Sequence, residues 1–182
     1  LQDGRRMFAY RFDGYWKDVG PVQSLWEANM DLIKDEPELN LGDKDWRIYS
    51  RSAIMPAHYM GRHGSAVRSI VTEGCDVDGA IRHSVLFAGV TIGEGAEVSD
   101  SVVLPGARIG ANAVVKKAIV GENATVHAGA VVGAPPAEND PPYDTSLTGD
   151  ITLVASNTSI RPGARVPAGM IVNADTFGGK EG

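Results

Sequence analysis

Cysteine is nearly absent from this chain of 182 residues, since Cys75 is the only one. A single thiol cannot close an internal disulfide or build a thiolate metal site, so a disulfide framework is excluded. Long apolar runs are also missing, and no stretch approaches the roughly 18 residues needed to cross a bilayer. The composition therefore favours a soluble protein of the reducing cytoplasm, with no membrane partner.

Basic residues are in deficit, with 17 Lys and Arg against 23 Asp and Glu and a net charge of −6. A protein that binds nucleic acid through its phosphates usually has a positive net charge, so nucleic acid is not an expected partner. The length suits one domain, or one domain plus a fragment of another. The sequence begins at Leu1 rather than at a methionine, and its pattern is already under way at that residue. We therefore expect a fragment of a longer protein or a processed product.

Aromatic residues and glycines are unevenly distributed, which predicts two architectures joined near residue 60. Nine of the 12 aromatic residues lie before this point, and 18 of the 22 glycines lie after it. In the first part, the segments 7–12 and 15–19 have extended patterns and flank Asp13-Gly14, a strong turn signal, so we expect a β-hairpin.

Gly20-Pro21 then predicts the start of a helix, because proline is tolerated in a first helical turn. The helix should run to about Ile33 or Lys34, and Pro37 follows its end. Its expected apolar face consists of Val22, Leu25, Trp26, Asn29, Met30 and Ile33. Residues 35–66 are expected to form an irregular connector.

The second part contains an internal repeat of seventeen residues, in the segments 84–100, 101–117 and 118–134. Aliphatic residues recur in three columns with spacings of six, six and five. The columns are Leu86, Val103 and Val120; Ile92, Ile109 and Val126; and Val98, Val115 and Val132. The preceding segment, 69–83, is two residues shorter and keeps Val71, Val77 and Ile81 as counterparts.

Such spacing predicts a triangular parallel β-solenoid, in which each turn contributes three short strands and one aliphatic side chain per strand to a shared interior. The corners should bend at columns that alternate between glycine and asparagine, which both tolerate left-handed backbone. These columns are Gly74, Gly89, Gly106 and Asn123, and Gly95, Asn112 and Gly129. Cys75 shares a column with Val90, Ala107 and Ala124, which favours a structural role.

The segment 135–150 interrupts the repeat with four prolines and is expected to leave the coil as a surface loop. The coil should then resume with Val154, Ile160, Val166 and either Ile171 or Val172, which gives five or six turns in total. We expect the coil to occupy residues 67–174, followed by a loose tail at 175–182.

Three motifs, together with the repeat, closely resemble the C-terminal half of the bacterial glucose-1-phosphate adenylyltransferase family. They are Tyr15-Trp16-Lys17-Asp18-Val19-Gly20, Trp26-Glu27-Ala28-Asn29 and Thr72-Glu73-Gly74-Cys75. The resemblance implies that the coil is a left-handed β-helix of the hexapeptide type and that residues 1–34 are the end of an α/β nucleotidyltransferase domain. In this family the intact enzyme makes ADP-glucose and pyrophosphate from ATP and glucose 1-phosphate for glycogen biosynthesis.

The resemblance also implies roles for individual residues. Asp18 would hold Mg²⁺ against the phosphates, and Trp16 would shape the adjacent pocket. Without the resemblance, the simpler interpretation is that Asp18 caps the helix or ends a strand. The β-helix of this family supports tetramers, homo- or hetero-oligomeric, and binds an anionic sugar-phosphate or phosphate effector. The candidate effector-binding residues are Arg47, Arg51, Lys116 and Lys117, although a solvated basic surface is their ordinary interpretation.

The sequence departs from the family in several places. Pro21 stands where the family has Thr or Ser, so a hydroxyl cap is lost. Glu122 and Ser156 occupy two positions where plant relatives have effector-binding lysines. The Gly-rich phosphate loop and the other catalytic carboxylate and lysine are not in these 182 residues, so we expect the fragment alone to be inactive.

Two further hypotheses belong to other functional classes. A β-helix acyltransferase would use His127 or His83 as its general base. A non-catalytic partner subunit of a sugar-nucleotide pyrophosphorylase would have the same coil without chemistry of its own. The choice of adenine and glucose rests on the resemblance alone.

Overall fold

The computed structural model describes residues 6–46, 48, 54–140 and 142–173. Two candidate effector residues, Arg47 and Arg51, and the expected tail at 175–182 lie outside the described residues. The described residues contain one helix, α1 (Val22–Asp31), and eighteen short strands, which we number in chain order. Among the described residues, no helix is long and apolar enough to span a membrane.

The strands form three parallel six-stranded sheets, which are the three faces of a solenoid. The first face contains β1 (Tyr59–Met60), β4 (Asp76–Val77), β7 (Thr91–Ile92), β10 (Arg108–Ile109), β13 (Thr125–Val126) and β16 (Ser159–Ile160). The second face contains β2 (Ser65–Val67), β5 (Ala80–Arg82), β8 (Glu97–Ser99), β11 (Val114–Lys116), β14 (Val131–Ala134) and β17 (Arg165–Pro167). The third face contains β3 (Ile70–Val71), β6 (Val85–Leu86), β9 (Val102–Val103), β12 (Ala118–Val120), β15 (Thr152–Val154) and β18 (Ile171–Val172).

The strand register confirms the predicted aliphatic columns. Ile92 pairs with Ile109 and Ile109 with Val126, and the other two columns stack in the same way. All nine column residues of the three repeats are at most 1% exposed. After the interruption, Val172 rather than Ile171 continues the interior column, since Val172 is buried and Ile171 is not. Stacking these side chains forms the core, because no single turn can bury its own apolar face.

The corners also follow the prediction. Gly106 and Asn123 occupy equivalent corners of successive turns and have φ values of 70° and 54°. All the other predicted corner residues likewise have positive φ. A third corner, between the second and third faces, uses residues with side chains in the same conformation: Arg68, His83, Asp100 and Lys117, with φ between 45° and 50°. The sequence did not predict this third column, because it contains no glycine or asparagine.

One expected boundary and one expected element differ from the structure. The coil begins at Tyr59, inside the segment expected to be connector, because Met60 and Ala66 already pair with Val77 and Ile81. Ala66 is a small residue, so the apolar signal of this first turn is weak. No strand is assigned to residues 6–20, where a β-hairpin was expected. Most of these side chains are exposed, and an isolated hairpin has too little apolar contact to be stable.

The segment 135–150 leaves the coil as expected and folds back on its last turn. Tyr143 donates from its hydroxyl to the carbonyl oxygen of Ala168 at 2.9 Å. Arg165 pairs with Asp140, and Thr148 donates to the carbonyl oxygen of Gly169. The loop is therefore fixed to the coil at both of its ends.

Helix α1 packs on the outside of the third face. The predicted apolar side makes this contact: Met30 in the helix and Ile33, two residues beyond its end, are buried against Val85, Val102 and Ile119. Trp26, partly buried, donates from its indole nitrogen to the carbonyl oxygen of Asp100 at 2.7 Å. The helix and the coil are thus joined by both apolar packing and a directed hydrogen bond.

Candidate functional site

The segment that precedes α1 is attached to the helix by alternate side chains. The Tyr15 hydroxyl and the Lys17 ammonium lie 3.0 Å and 2.9 Å from the same carboxylate oxygen of Asp31. Lys17 also lies 3.1 Å from Glu27. Trp16 is 77% exposed and Asp18 is exposed. Tyr15 and Lys17 therefore attach the segment to the helix, whereas the two candidate active-site residues are exposed to solvent.

The negative charge of Asp31 is paired with the positive charges of Lys17 and Lys34. Hydrogen bonds from Lys17, Lys34 and Tyr15 lower the pKa of Asp31 to about 2, with Lys17 contributing most. The hydrogen bond to Asp31 in turn raises the pKa of Lys17. Burial, followed by the hydrogen bond to Asp31, raises the pKa of Tyr15. Asp31 and Lys17 therefore both keep their charges at neutral pH. Their ion pair holds the segment that carries Trp16 and Asp18 in place.

Asp18 makes a local turn rather than a helix cap. Its Oδ1 accepts a hydrogen bond from the backbone N–H of Gly20 at 3.0 Å. The N-cap of α1 is Pro21, and no side chain caps the helix. No strand of the described residues ends at Asp18, so both parts of the simpler interpretation differ from the structure.

The Asp18 carboxylate fits Mg²⁺ as a single ligand only. It is exposed, oriented by Gly20, and supplies the hard oxygen that Mg²⁺ prefers. Among the described residues, however, it belongs to no group of three or more potential metal ligands. Any further ligands would have to come from outside this part of the chain.

The two candidate lysines have different environments. Lys116 is exposed on β11. Lys117 occupies the third corner, where its ammonium pairs with Asp150 and lies 5.6 Å from the centroid of the Trp26 ring. The structure therefore brings Lys117 together with α1 and the 135–150 loop, whereas Lys116 remains available on the surface.

The two histidines considered as general bases each have a polar neighbour. His83 Nδ1 lies 2.8 Å from Asp100 Oδ1, in the third corner beside the Trp26 contact. His127 Nε2 lies 3.0 Å from the Ser159 hydroxyl on an exposed face. These contacts orient both rings on the outer surface of the coil.

Asp31 and Glu27, the partners of Lys17, were not predicted from the sequence. A signal was present, because Glu27 and Asp31 lie four positions apart and so share one side of the helix. Which side of the helix the preceding segment would contact could not be read from that spacing.

Comparisons with known proteins agree with this architecture. Residues 52–154 match the family described as GlmU-like, C-terminal hexapeptide. The chain is 55% identical over 102 residues to a glucose-1-phosphate adenylyltransferase of Acetivibrio thermocellus, and the match covers 56% of this chain and 24% of that protein. Proteins of the same name from Clostridium botulinum and Bacillus thuringiensis are 52% and 54% identical over the same length, which is 26% and 27% of each.

These matches confirm the resemblance predicted from the motifs and the repeat. They also set its extent, because they span only about a quarter of the length of these relatives.

Proposed function

The chain belongs to the GlmU-like, C-terminal hexapeptide family, and we propose that it is the C-terminal part of an enzyme that forms ADP-glucose and pyrophosphate from ATP and glucose 1-phosphate. The observation that carries this proposal is the identity of 52–55% with relatives named glucose-1-phosphate adenylyltransferase. Since the match spans about a quarter of those proteins, the chemistry is proposed for a longer protein, and the 182 residues alone are proposed to be inactive.

The exposed apolar residues before α1 support the proposal that this segment packs against further residues of a longer protein. Met7, Phe8, Tyr10 and Phe12 are all more than 60% exposed and follow one another closely. A cluster of large exposed apolar residues is typical of an interface. We propose that these side chains pack in a nucleotidyltransferase domain formed with further residues of the longer protein.

Within that domain, Asp18 is proposed to supply one carboxylate ligand for Mg²⁺, and Trp16 to line the pocket beside it. Mg²⁺, when bound, would neutralise charge on the phosphates. The contribution of this chain is positional: the Lys17–Asp31 pair fixes the segment to α1, and α1 is fixed to the coil by Trp26. The segment that carries Trp16 and Asp18 is thereby attached to the coil, which is proposed to serve assembly and regulation.

Regulation is proposed to use the basic side chains of the coil. Lys116 is the better candidate for an anionic effector, because the charge of Lys117 is already engaged by Asp150. Assembly is proposed to use the surfaces of the solenoid, because the strands at its two ends have a paired neighbour on one side only among the described residues.

The proposal is tested on the complete open reading frame that contains these residues. The purified product should release pyrophosphate from ATP only when glucose 1-phosphate is present, whereas the 182-residue chain should not. Asp18→Asn should lower kcat at least about 100-fold in the complete protein, and Asp13→Asn, a matched exposed carboxylate on the same segment, should leave it unchanged.

Other outcomes would favour the competing hypotheses. Activity of the 182 residues alone, or a preference for another sugar phosphate, would contradict the proposal. A complete protein that is inert with every sugar phosphate would indicate a non-catalytic partner subunit. Saturable acetyl-CoA binding, abolished by His127→Ala or His83→Ala, would indicate an acyltransferase.

A further inference from the structure

Three potential metal ligands meet at the corner between the first and second faces, on three consecutive turns of the coil. They are His63, Asp78 and Glu94, and one ligand atom from each lies within 4.8 Å of the others. His63 Nδ1 is 3.5 Å from Asp78 Oδ1 and 3.8 Å from Glu94 Oε1. We call these residues the corner triad.

The corner triad exists because the middle turn is shorter than its neighbours. Four residues connect the two faces at positions 61–64 and 93–96, but only residues 78 and 79 do so in the turn between them. The short connection removes the side chains that would otherwise separate the upper and lower turns. His63 and Glu94 can therefore approach the same carboxylate from either side.

The backbone is adapted to hold the Asp78 carboxylate in this position. A Cβ atom at Gly61 would lie 2.5 Å from Asp78 Oδ1, so only glycine leaves room for the carboxylate there. The backbone N–H of His63 donates to the same oxygen at 2.8 Å. A Cβ at Gly79 would lie 2.5 Å from the carbonyl oxygen of Ala96, so the short connection is packed tightly on the turn below. The carboxylate is thus positioned by rigid backbone.

The charge of the corner triad is not balanced by lysine or arginine. Among the described ion pairs, His63 is the only partner of Asp78 and of Glu94. Two carboxylates held this close repel each other unless a cation lies between them. The side chains of His63, Asp78 and Glu94 are 50%, 35% and 70% exposed, so an ion and its water ligands can reach them.

We propose that the corner triad binds one divalent transition-metal ion of the zinc class. A tetrahedral ion with bonds of about 2.0–2.1 Å separates its ligand atoms by roughly 3.3–3.5 Å, close to the two distances measured from His63 Nδ1. The imidazole nitrogen favours zinc over Mg²⁺, which prefers oxygen ligands. Water completes the coordination on the open side. The ion links the first three turns at one end of the coil, so its role is to stabilise that end.

The test is a zinc titration of the metal-free 182-residue chain by calorimetry, with Mg²⁺ in excess. Saturable binding at a ratio of one is expected, together with a higher Tm on zinc addition. His63→Ala, Asp78→Asn and Glu94→Gln should each weaken binding at least tenfold. His127→Ala is the matched control, because His127 is an exposed histidine of the same corner with a serine as its neighbour, and the variant should bind zinc as the unaltered chain does.

Circular dichroism separates loss of binding from loss of fold, and Glu94→Gln changes the most exposed of the three residues. The proposal is overturned if zinc binding is absent at 100 µM, if His63→Ala and Glu94→Gln bind as tightly as the unaltered chain, or if His127→Ala removes the binding.

Discussion

The indole N–H of Trp26 donates to the carbonyl oxygen of Asp100 across 74 positions of sequence, at a distance of 2.7 Å. Asp100 has a φ of 50° in the third corner, and its side chain lies 2.8 Å from His83. The helix is therefore fixed to a backbone group that the corner itself holds in place. The apolar layer beside this contact, the Lys117 ammonium over the Trp26 ring and the ion pair between Arg68 and Asp35 join the same part of the chain to the coil.

Replacing Trp26 by Phe should separate the hydrogen bond from the packing of the ring. We expect Trp26→Phe to lower the free energy of unfolding by about 1–2 kcal/mol, since the aromatic contact is largely kept while the Asp100 carbonyl loses its donor. Urea denaturation followed by circular dichroism measures this. Trp16→Phe is the control and should change stability by less than about 0.5 kcal/mol, because Trp16 is exposed. Equal effects of the two substitutions would contradict this account of the docking.

A ladder of serine hydroxyls beside the third corner gives a second prediction. Ser101 Oγ accepts from the backbone N–H of Ala118 at 3.1 Å and donates to the carbonyl oxygen of Ser99 at 2.7 Å. Ser84 makes the equivalent contacts one turn earlier, and both serines are fully buried. We expect Ser101→Ala to cost about 1–3 kcal/mol, because it leaves the buried N–H of Ala118 without a partner.

The control for the ladder is Ser69→Ala, at the first rung. Ser69 Oγ makes the same pair of contacts, to Val67 and Ser84, but its own contacts are more exposed to water. Its loss should cost clearly less than the loss of Ser101 in the same denaturation experiment. A Ser101→Ala variant as stable as the unaltered chain would show that water or a backbone shift satisfies the N–H.

Cys75 provides a third prediction, about reactivity. Its thiol is buried in the core and donates to the carbonyl oxygen of Phe87 at 3.2 Å. Burial raises the pKa of this thiol, so the reactive thiolate is rarer than for a free cysteine at pH 8. We expect an aromatic disulfide reagent to modify Cys75 at least about 100-fold more slowly in the folded chain than in 6 M guanidinium.

The matched control is Ser65→Cys in a Cys75→Ala background, because Ser65 is exposed on β2. This variant should react quickly without denaturant. It should also fold, since Ala107 and Ala124 fill the position of Cys75 in later turns. Rapid modification of Cys75 in the folded protein would mean that the end of the coil opens far more often than its burial suggests.

The interior of the coil was predictable, because each turn repeats the same physical requirement. The column of Val98, Val115 and Val132 can be recognised in the sequence, because every strand must direct one aliphatic side chain toward the same axis. Corners with Gly106 or Asn123 were visible for a similar reason. The corner of Asp100 was not, because a residue with a side chain can adopt positive φ when the neighbouring turns support it, and composition does not reveal that support.

The candidate site was predictable only in its residue types. The motif that contains Trp16 and Asp18 was identified, but its partner Asp31 was not, since the contact depends on how the segment approaches α1. The expected hairpin is missing from residues 6–20 for a related reason. The alternation of Met7 to Phe12 indicates a strand, yet a strand needs a neighbouring sheet, which the described residues do not provide there.

The last prediction concerns the pH dependence of the contact between Lys17 and Asp31. The pKa of Asp31 is about 2 in the folded chain, below its ordinary value of 3.8, mainly because Lys17 donates a hydrogen bond to the carboxylate. A carboxyl whose pKa is lower in the folded state stabilises the fold above its unfolded pKa. That stabilisation is lost as the pH falls from about 4 to about 2. It amounts to at most about 2 kcal/mol, since the lysine partners are partly exposed and solvent screens them.

Asp31→Asn should remove this contribution and loosen the segment that carries Trp16 and Asp18. We expect its stability to fall below that of the unaltered chain at pH 7 and the difference to vanish near pH 2, as measured by urea denaturation at each pH. Glu36→Gln is the control, because Glu36 is an exposed carboxylate beyond the end of α1 and should leave the profile unchanged. Lys17→Met should reproduce most of the loss, because Lys17 is the largest cause of the lowered pKa. A difference between Asp31→Asn and the unaltered chain that stays constant from pH 7 to pH 2 would show that Asp31 acts through packing and not through its charge.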